Sequence, residues 1–516
     1  MSDQALVKTK ATVIIKVITR TNKKEDHVME AYLKKIEEII AQGPYTDTWE
    51  SLQKYRVPEW YQKKKFGIFI HWGIYSVPSF GNEWYSRNMY IQGTPEYEHH
   101  IKTYGLHKEF GYKDFIPMFT ADKFHPEAWF DLFEQAGAEY IVPVAEHHDG
   151  FQMYKSKLSH WNSNEMGPNR DVLGELSAEA KKRGMVNGAS SHRVEHWFFM
   201  GHGKDFDSDI KEPLKRGDFY WPSMKDGNEF GSVHTDSVPT EEFLQDWLVR
   251  TCEIIDEYHP QILYFDWWIQ HFSVKPYLKK LAAYYYNRAA QWGQEVVINY
   301  KHDAFFFGTA VPDVERGQFA EMKPYLWQTD TPIALNSWGY TENNQFRPAN
   351  GILCDLVDIV SKNGRLLLNI GPRPDGTITQ EETDILREIG EWLHVNGEAI
   401  YGSSVWRKYG EGPTEVLEGQ FTDGIRKNFT SEDIRFTIGN GYLYATALKC
   451  SDDGKYCIKS LGILDASKIA HFSGIIRDIT LLGCKTAPHW TQDGEGLKLQ
   501  TDYKTDKPVV FKIQID

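Results

Sequence analysis

Ionisable side chains follow several of the most apolar runs in this chain. Asp266 comes directly after ILYF, His147 and His148 come after YIVPVAE, and His71 comes after FGIFI. An ionised carboxylate at the end of a buried run can act as a nucleophile, and imidazoles can bind hydroxyl groups or a metal ion. The competing interpretation of Asp266 is a residue that caps the next helix.

Two further segments, GNEWYSRNMY and SSHRVEHW, carry acids, aromatic rings and histidines. Glu83 can accept hydrogen bonds from neighbouring hydroxyl groups, and Trp84 can pack on the face of a sugar ring. The alternative for Glu83 is an incidental acid in a surface loop. His192 and Glu195 follow another apolar run and could line the same site. No GxSxG motif lies near these residues, so a serine hydrolase is disfavoured.

A histidine–metal hydrolase is the competing chemistry, because His71 could join His147 and His148 as a third imidazole. Adjacent histidines on a strand point to opposite faces and cannot easily share one ion. We therefore predict no metal site. The cysteines also give no sign of a metal site, because they are odd in number and form no CxxC pair. We therefore expect reduced thiols. The cysteines are Cys252, Cys354, Cys450, Cys457 and Cys484.

The composition narrows the class of partner. The chain has 516 residues and a formal net charge of −14, which disfavours nucleic acid because binding to it depends on clustered Lys and Arg. No segment reaches the length needed to span a membrane, so we predict no membrane partner. The opening MSDQ and the stretch ATVIIKVITR show no signal-peptide pattern. The sequence as given therefore predicts a cytoplasmic location. A secreted or periplasmic protein whose leader has been trimmed is the alternative.

The elements that must position these residues alternate between apolar runs and amphipathic stretches. Predicted strands are FGIFIHWG, YIVPVAEHH, GMVNGASSH, ILYFDWW, VVIN and LLLNIGP, and predicted helices are PEAWFDLFEQAGA, EEFLQDWLVRTCEIIDEYH, YLKKLAAYYYNRAAQW and ILCDLVDIVSKNG. Such alternation predicts a parallel sheet covered by helices. Polar residues at the strand ends, from widely spaced parts of the chain, favour a closed (β/α)₈-like barrel. An open sheet is less favoured because no GxGxxG follows the first strand.

The chain is predicted to have three parts. Residues 1–56 form a helical extension packed on the barrel, with apolar residues at helical spacing between Glu25 and Ala41, and residues 57–400 form the barrel. Residues 401–516 alternate apolar and polar positions around turns, which predicts a C-terminal antiparallel β-sandwich.

Long stretches of this sequence resemble the α-L-fucosidases of glycoside hydrolase family 29. The motifs that carry the resemblance lie within about residues 44–400 and include KFGIFIHWGIYSVPSF, NEWYSRNMY, EHHDGF, LYFDWW, NSWGY and SKNGRLLLNIGPRPDGTI. The resemblance implies a (β/α)₈-like barrel followed by a β-sandwich, hydrolysis with retention and no cofactor. It implies a nucleophile at Asp266, and sugar contacts at His71, Glu83, Trp84, His147 and His148. We also predict substrate contacts at His192, Trp268 and Lys301.

Three departures from the family pattern affect this prediction. Many relatives place the general acid/base at a Glu after a Trp, where this chain has Gln328, which cannot shuttle a proton. We therefore predict Glu315 as the acid/base, with its neighbour Arg316 directed away from it. Weaker candidates are Glu321 and Glu342. Many relatives also have a tyrosine-rich segment where this chain has SSHRVEHW, and some have Arg at the position of Lys301.

The resulting prediction is a retaining exo-acting α-L-fucosidase that acts on a glycan, with Asp266 as nucleophile and Glu315 as acid/base. Two carboxyl groups about 5–5.5 Å apart are expected for retention. Two alternatives stay open: an α-L-galactosidase on the same fold, and a sugar-binding relative impaired in catalysis by Gln328. Oligomerisation is possible.

Overall fold

The structure is a computed structural model that describes residues 25–227, 237–423, 428–463 and 472–516. The ATVIIKVITR stretch and the rest of residues 1–24 lie outside the described residues. None of the helices in the described ranges combines the length and the apolarity that a membrane crossing needs.

Eight parallel strands form a closed barrel, which confirms the predicted fold class. They are β1 (Phe66–Ile70), β2 (Tyr140–Glu146), β3 (Val186–Ser191), β4 (Ile262–Phe265), β5 (Val297–Lys301), β6 (Val311–Glu315), β7 (Trp327–Pro332) and β8 (Gly364–Ile370). β8 closes the barrel by pairing with β1, where Gly67 lies opposite Leu367. The carboxyl ends of all eight strands therefore meet on one face.

The sequence pattern predicted all of these strands except β6 and β7. Their sequences, VPDVE and WQTDTP, lack the run of consecutive apolar residues found in strands such as FGIFI and ILYF. Gln328 and Asp330 of β7 are both buried. A strand that turns polar side chains into the barrel lacks the apolar run by which buried strands are identified.

Helices surround the barrel or lie in the connections between its strands. They are α1 (25–42), α2 (Trp49–Leu52), α3 (Glu59–Lys63), α4 (Tyr85–Asn88), α5 (Pro95–Tyr104), α6 (Pro126–Gln135), α7 (Val172–Arg183), α8 (His196–Phe199), α9 (Glu241–Tyr258), α10 (Lys275–Trp292), α11 (Ala349–Ser361) and α12 (Gln380–Asn396). Thr240 and Thr379 accept backbone N–H bonds at the starts of α9 and α12, which fixes where those helices begin. α1 buries Ile36 in the core, and Lys35 pairs with Asp256 of α9.

Two antiparallel sheets follow the barrel, as predicted. The strands are β9 (Ser404–Glu411), β10 (Ile434–Gly439), β11 (Tyr442–Ala447), β12 (Lys455–Ile458), β13 (Ile476–Leu481), β14 (His489–Gln492), β15 (Leu497–Gln500) and β16 (Val509–Ile515). One sheet has the order β13-β16-β11-β10-β9 and the other β12-β15-β14. Phe436 and Phe511 of the first sheet share an apolar core with Leu497 and Leu499 of the second. All five cysteines have free thiols.

Candidate active site

A cavity with a volume of about 380 Å³ opens at the carboxyl ends of the barrel strands. It is lined by His71, Asn82, Glu83, Trp84, His147, His148, His192, Glu195, Asp266, Trp267, Glu315, Arg316, Asp330, Asn336, Ser337, Trp338 and Phe421. Most of the residues predicted from widely separated motifs therefore lie around one space, because closure of the barrel brings the strand ends together.

Asp266 is the first residue after β4, and its side chain is largely buried. Nδ1 of His192 donates to Oδ2 of Asp266 over 3.0 Å, and Nε2 of His148 lies 3.6 Å from the same oxygen. Burial acts to raise the pKa of Asp266, but His192, Lys301 and His148 outweigh it and lower that pKa well below its usual range. Asp266 caps no helix, because α10 starts only at Lys275.

Glu315 ends β6, and the ammonium of Lys301 lies near both Glu315 and Asp266. Nζ of Lys301 is 2.8 Å from Oε2 of Glu315 and 3.9 Å from Oδ1 of Asp266. The indole N–H of Trp267 also donates to Glu315. Burial raises the pKa of Glu315 to about 7, the charge of Lys301 opposes this, and the charge of Asp266 adds to it. The guanidinium of Arg316 pairs instead with Asp423, at 3.2 Å.

Two further carboxyl groups lie below this pair, and sequence reasoning missed both. Nζ of Lys301 lies 2.9 Å from Oδ1 of Asp330 and 3.4 Å from Oδ1 of Asp313. Burial and the neighbouring Asp330 raise the pKa of Asp313 well above its usual range. The surrounding carboxylates outweigh burial and raise the pKa of Lys301 well above its ordinary value, so it stays charged. Only alternation along β6 and β7 could have suggested these inward acids.

Imidazoles form one wall of the cavity. Burial lowers the pKa of His148 to about 3, and it lowers those of His71 and His147 well below their usual value. These three rings are therefore neutral at neutral pH, and each offers one donor and one acceptor. Nδ1 of His71 lies 2.7 Å from the amide oxygen of Asn369. Nδ1 of His147 is buried and has no hydrogen-bond partner among the described residues.

The predicted Glu83–Trp84 segment lines the cavity beside the imidazoles. Oε2 of Glu83 accepts hydrogen bonds from Oγ of Ser337, over 3.1 Å, and from the backbone N–H of Trp338, over 2.9 Å. Burial raises the pKa of Glu83 although these donors lower it. The ring of Trp84 contacts His148 edge to face. Glu83 therefore lies in a buried wall and not in an exposed loop.

Comparison with known proteins identifies the family. The family model for alpha-L-fucosidase matches residues 32–398. Tissue alpha-L-fucosidase of Rattus norvegicus is 31% identical over 467 residues, which cover 88% of this chain and 87% of that relative. The human tissue enzyme is also 31% identical, over 472 residues that cover 88% of this chain and 87% of that relative.

This chain belongs to the α-L-fucosidase family. Among solved structures, Thermotoga maritima alpha-fucosidase in complex with fucose is similar to it in sequence and in shape. The identity is 29%, the TM-score is 0.70, and the match covers 91% of this chain and 100% of that chain. As a member of the α-L-fucosidase family the protein is a glycoside hydrolase.

Two predicted substrate contacts of this α-L-fucosidase-family protein lie elsewhere than expected. The ring of Trp268 packs on Phe198 with centroids 4.6 Å apart and does not line the cavity, whereas its neighbour Trp267 does. Both tryptophans lie in the turn after β4, where the backbone of Trp268 has a φ of +70°, and the geometry favours Trp267 as the residue that meets the substrate. Lys301 is fully buried beneath the two carboxyl groups, which places it to hold them and not a sugar.

Gln328 does not reach the cavity of this family member. Its side chain is fully buried inside the barrel, where Nε2 donates to Oδ2 of Asp313 over 2.8 Å and the oxygen accepts from Tyr61. An acid at this position would face Asp313 and not a leaving group. Glu321 and Glu342 are exposed and lie outside the lining.

The histidines are also close enough to raise the metal alternative. Nitrogens of His71, His147 and His192 lie within 4.8 Å of one another. The expectation that His147 and His148 point to opposite faces is wrong, because both follow the end of β2 and their ring centroids are 4.2 Å apart. However, both nitrogens of His192 are engaged, Nδ1 by Asp266 and Nε2 by Ser190 at 3.0 Å. A metal would have to displace one of these hydrogen bonds.

Proposed function

We propose that the protein is a retaining, exo-acting α-L-fucosidase in which Asp266 is the nucleophile and Glu315 is the general acid/base. The observation that carries the proposal is that the two carboxyl groups flank one ammonium yet have opposite pKa shifts. The pKa of Asp266 is lowered well below its usual range, and that of Glu315 is raised to about 7. Paired carboxyl groups whose environments separate their pKa values suit one nucleophile and one acid.

The first step forms a covalent glycosyl-enzyme. A carboxylate oxygen of Asp266 attacks the anomeric carbon, the bond to the leaving oxygen breaks, and Glu315 donates its proton to that oxygen. In the second step a water molecule attacks the same carbon and gives its proton to Glu315, which releases the sugar and restores Asp266 as a carboxylate. The distances of both groups from Nζ of Lys301 are compatible with the separation of about 5–5.5 Å expected for retention.

The walls of the cavity suit one terminal sugar. Neutral imidazoles and the carboxyl group of Glu83 can exchange hydrogen bonds with ring hydroxyl groups, and Trp84 and Trp338 offer ring faces. Contacts made away from the reacting bond supply binding energy that helps to reach the transition state. A pocket of about 380 Å³ at a barrel mouth supports exo action, because it encloses a chain end and not the middle of a polymer.

Trapping of the intermediate tests this proposal. We expect a 2-fluoro-fucosyl fluoride to inactivate the enzyme, and peptide mass spectrometry to find the fluorosugar on Asp266. The anomer released first from an α-L-fucoside, followed by NMR, should be the α-anomer. First release of the β-anomer would show inversion, and a label on any other carboxylate would remove Asp266 from this role.

A further inference from the structure

An exposed aromatic residue borders the cavity from outside the barrel. Phe421 lies between β9 and β10 of the C-terminal region, lines the cavity and keeps 53% of its surface exposed. Large apolar side chains that stay exposed at the mouth of a site commonly mark a surface that a ligand covers.

Backbone hydrogen bonds tie Phe421 to the segment that carries Glu315. The N–H of Phe421 donates to the carbonyl of Glu315 over 2.9 Å. On either side, Gly419 donates to Gln318 over 3.0 Å and Asp423 donates to Arg316 over 2.9 Å. Gln318 and Gly419 form an antiparallel bridge, and together the three hydrogen bonds hold Phe421 beside Glu315.

The ring of Phe421 extends an aromatic surface that starts at Trp267. The two rings are stacked with centroids 5.9 Å apart and an angle of 17° between their planes. Trp267 itself donates to Glu315 and contacts His302 edge to face, at 4.2 Å between centroids. We name the surface formed by Trp267 and Phe421 the aromatic ledge.

The backbone at Phe421 is held in an unfavourable conformation. Its φ is +56°, in the left-handed region that phenylalanine rarely occupies. Glycine or asparagine would fit this backbone with less strain, so the turn alone does not explain the phenyl ring. Residues retained in such conformations beside an active site are often held there for the position of the side chain.

We infer that the aromatic ledge binds the sugar that carries the terminal residue, namely the hexopyranose on the leaving-group side of the scissile bond. This inference rests on the proposed function, because it takes Glu315 as the proton donor. The leaving oxygen must lie within hydrogen-bond reach of Glu315, which accepts from the indole of Trp267 and, at its carbonyl, from the backbone N–H of Phe421. The sugar would pack its C–H face on Phe421, as pyranose rings with several C–H groups on one face do on aromatic rings.

Substrates with and without a leaving-group sugar test this inference. Phe421→Ala and Phe421→Gly would be compared with wild type on 2′-fucosyllactose and on α-L-fucosyl fluoride, whose leaving group is a single atom. We expect the loss in kcat/KM on the oligosaccharide to exceed the loss on the fluoride by about tenfold, since one stacking contact is worth about that factor. Lactose, tested as an inhibitor of fluoride hydrolysis, should bind about tenfold more weakly to both variants.

Phe421→Gly and one further variant separate binding from packing. Phe421→Gly suits the positive φ, so its thermal stability should match wild type more closely than that of Phe421→Ala. Phe307→Ala is the matched control, because Phe307 is similarly exposed, at 58%, and lies outside the lining. This variant should have wild-type kcat/KM on both substrates and wild-type inhibition by lactose.

The outcomes separate this inference from the proposed function. Equal losses on both substrates, with unchanged lactose inhibition, would assign Phe421 to packing on Trp267 and overturn the inference. No loss on either substrate would overturn it as well. If the wild-type enzyme failed to hydrolyse α-L-fucosyl fluoride, the proposed function itself would fail, whatever the Phe421 variants did.

Discussion

The ammonium of Lys301 lies 2.8 Å from Oε2 of Glu315, inside the barrel and away from water. Burial raises the pKa of Glu315 to about 7 although Lys301 lowers it. We expect kcat/KM on a fucosylated oligosaccharide to fall as the pH rises through about 7, because ionised Glu315 has no proton to donate. Lys301→Met removes the lowering charge, so this alkaline limb should move to higher pH.

Lys301→Arg is the control for that experiment, because it keeps the positive charge. In this variant the alkaline fall in kcat/KM should stay nearer to the pH at which it occurs in wild type. Lys301→Met should also lower the free energy of unfolding by about 3–5 kcal/mol, since it leaves buried carboxyl groups without their cation. Urea denaturation would measure this, and the pH profiles should be recorded where each variant is folded. An alkaline limb that does not move in Lys301→Met would mean that Glu315 is not the group that titrates.

Asp266→Ala should reduce kcat on an aryl α-L-fucoside by at least about 1000-fold, because it removes the proposed nucleophile that forms the covalent intermediate. Added azide should restore part of the turnover by attacking the anomeric carbon from the vacated side. Calorimetry should still detect fucose binding, and the melting temperature should show that the fold is kept. A variant that retained a large share of its activity would exclude Asp266 as the nucleophile.

The loss of activity in Glu315→Ala should depend on the leaving group of the substrate. Hydrolysis of natural glycans should fall about 100- to 10,000-fold, whereas formation of the glycosyl-enzyme from an activated aryl fucoside should be largely spared. Azide should speed the second step, because it needs no base. Pre-steady-state release of nitrophenol would distinguish the two steps. Equal losses on both substrates without azide rescue would assign Glu315 to binding or folding.

Gln328→Glu introduces an acid at the position where many relatives of the family have one. In this chain the new carboxyl group would lie inside the barrel beside Asp313, so we expect no gain in activity and a free energy of unfolding lower by about 2 kcal/mol or more. The double variant Glu315→Ala/Gln328→Glu should be as inactive on oligosaccharides as Glu315→Ala alone. Recovery of activity in the double variant would show that position 328 can reach the leaving group.

Treatment with a chelator should leave activity unchanged, because His192 already uses both ring nitrogens, on Asp266 and Ser190. The measurement is kcat/KM before and after EDTA, together with the metal content of the purified protein by mass spectrometry. Zinc bound in a 1:1 ratio, with activity lost when it is removed and restored when it is added back, would support a histidine–metal hydrolase instead.

The sequence by itself determined the barrel, the C-terminal sheets and about half of the residues around the cavity. Apolar runs identify the strands because a buried parallel sheet needs apolar faces on both sides. Polar residues that end such runs, such as Asp266 and His71, must then meet where the strands of a barrel end. These inferences succeed because each depends on a pattern local to a few neighbouring residues.

Only the tertiary structure determined which residues from distant parts of the chain lie in contact. β7 was not predicted because it turns polar side chains into the barrel. The contact of Asp330 with Lys301 was therefore not predicted either. Whether Gln328 faces the cavity or the barrel interior depends on strand register. The contact of Phe421 with Glu315 joins residues more than 100 positions apart, and no local pattern specifies it. Such juxtapositions, and the pKa shifts that burial produces in them, arise only when the barrel closes and the C-terminal segment packs against it.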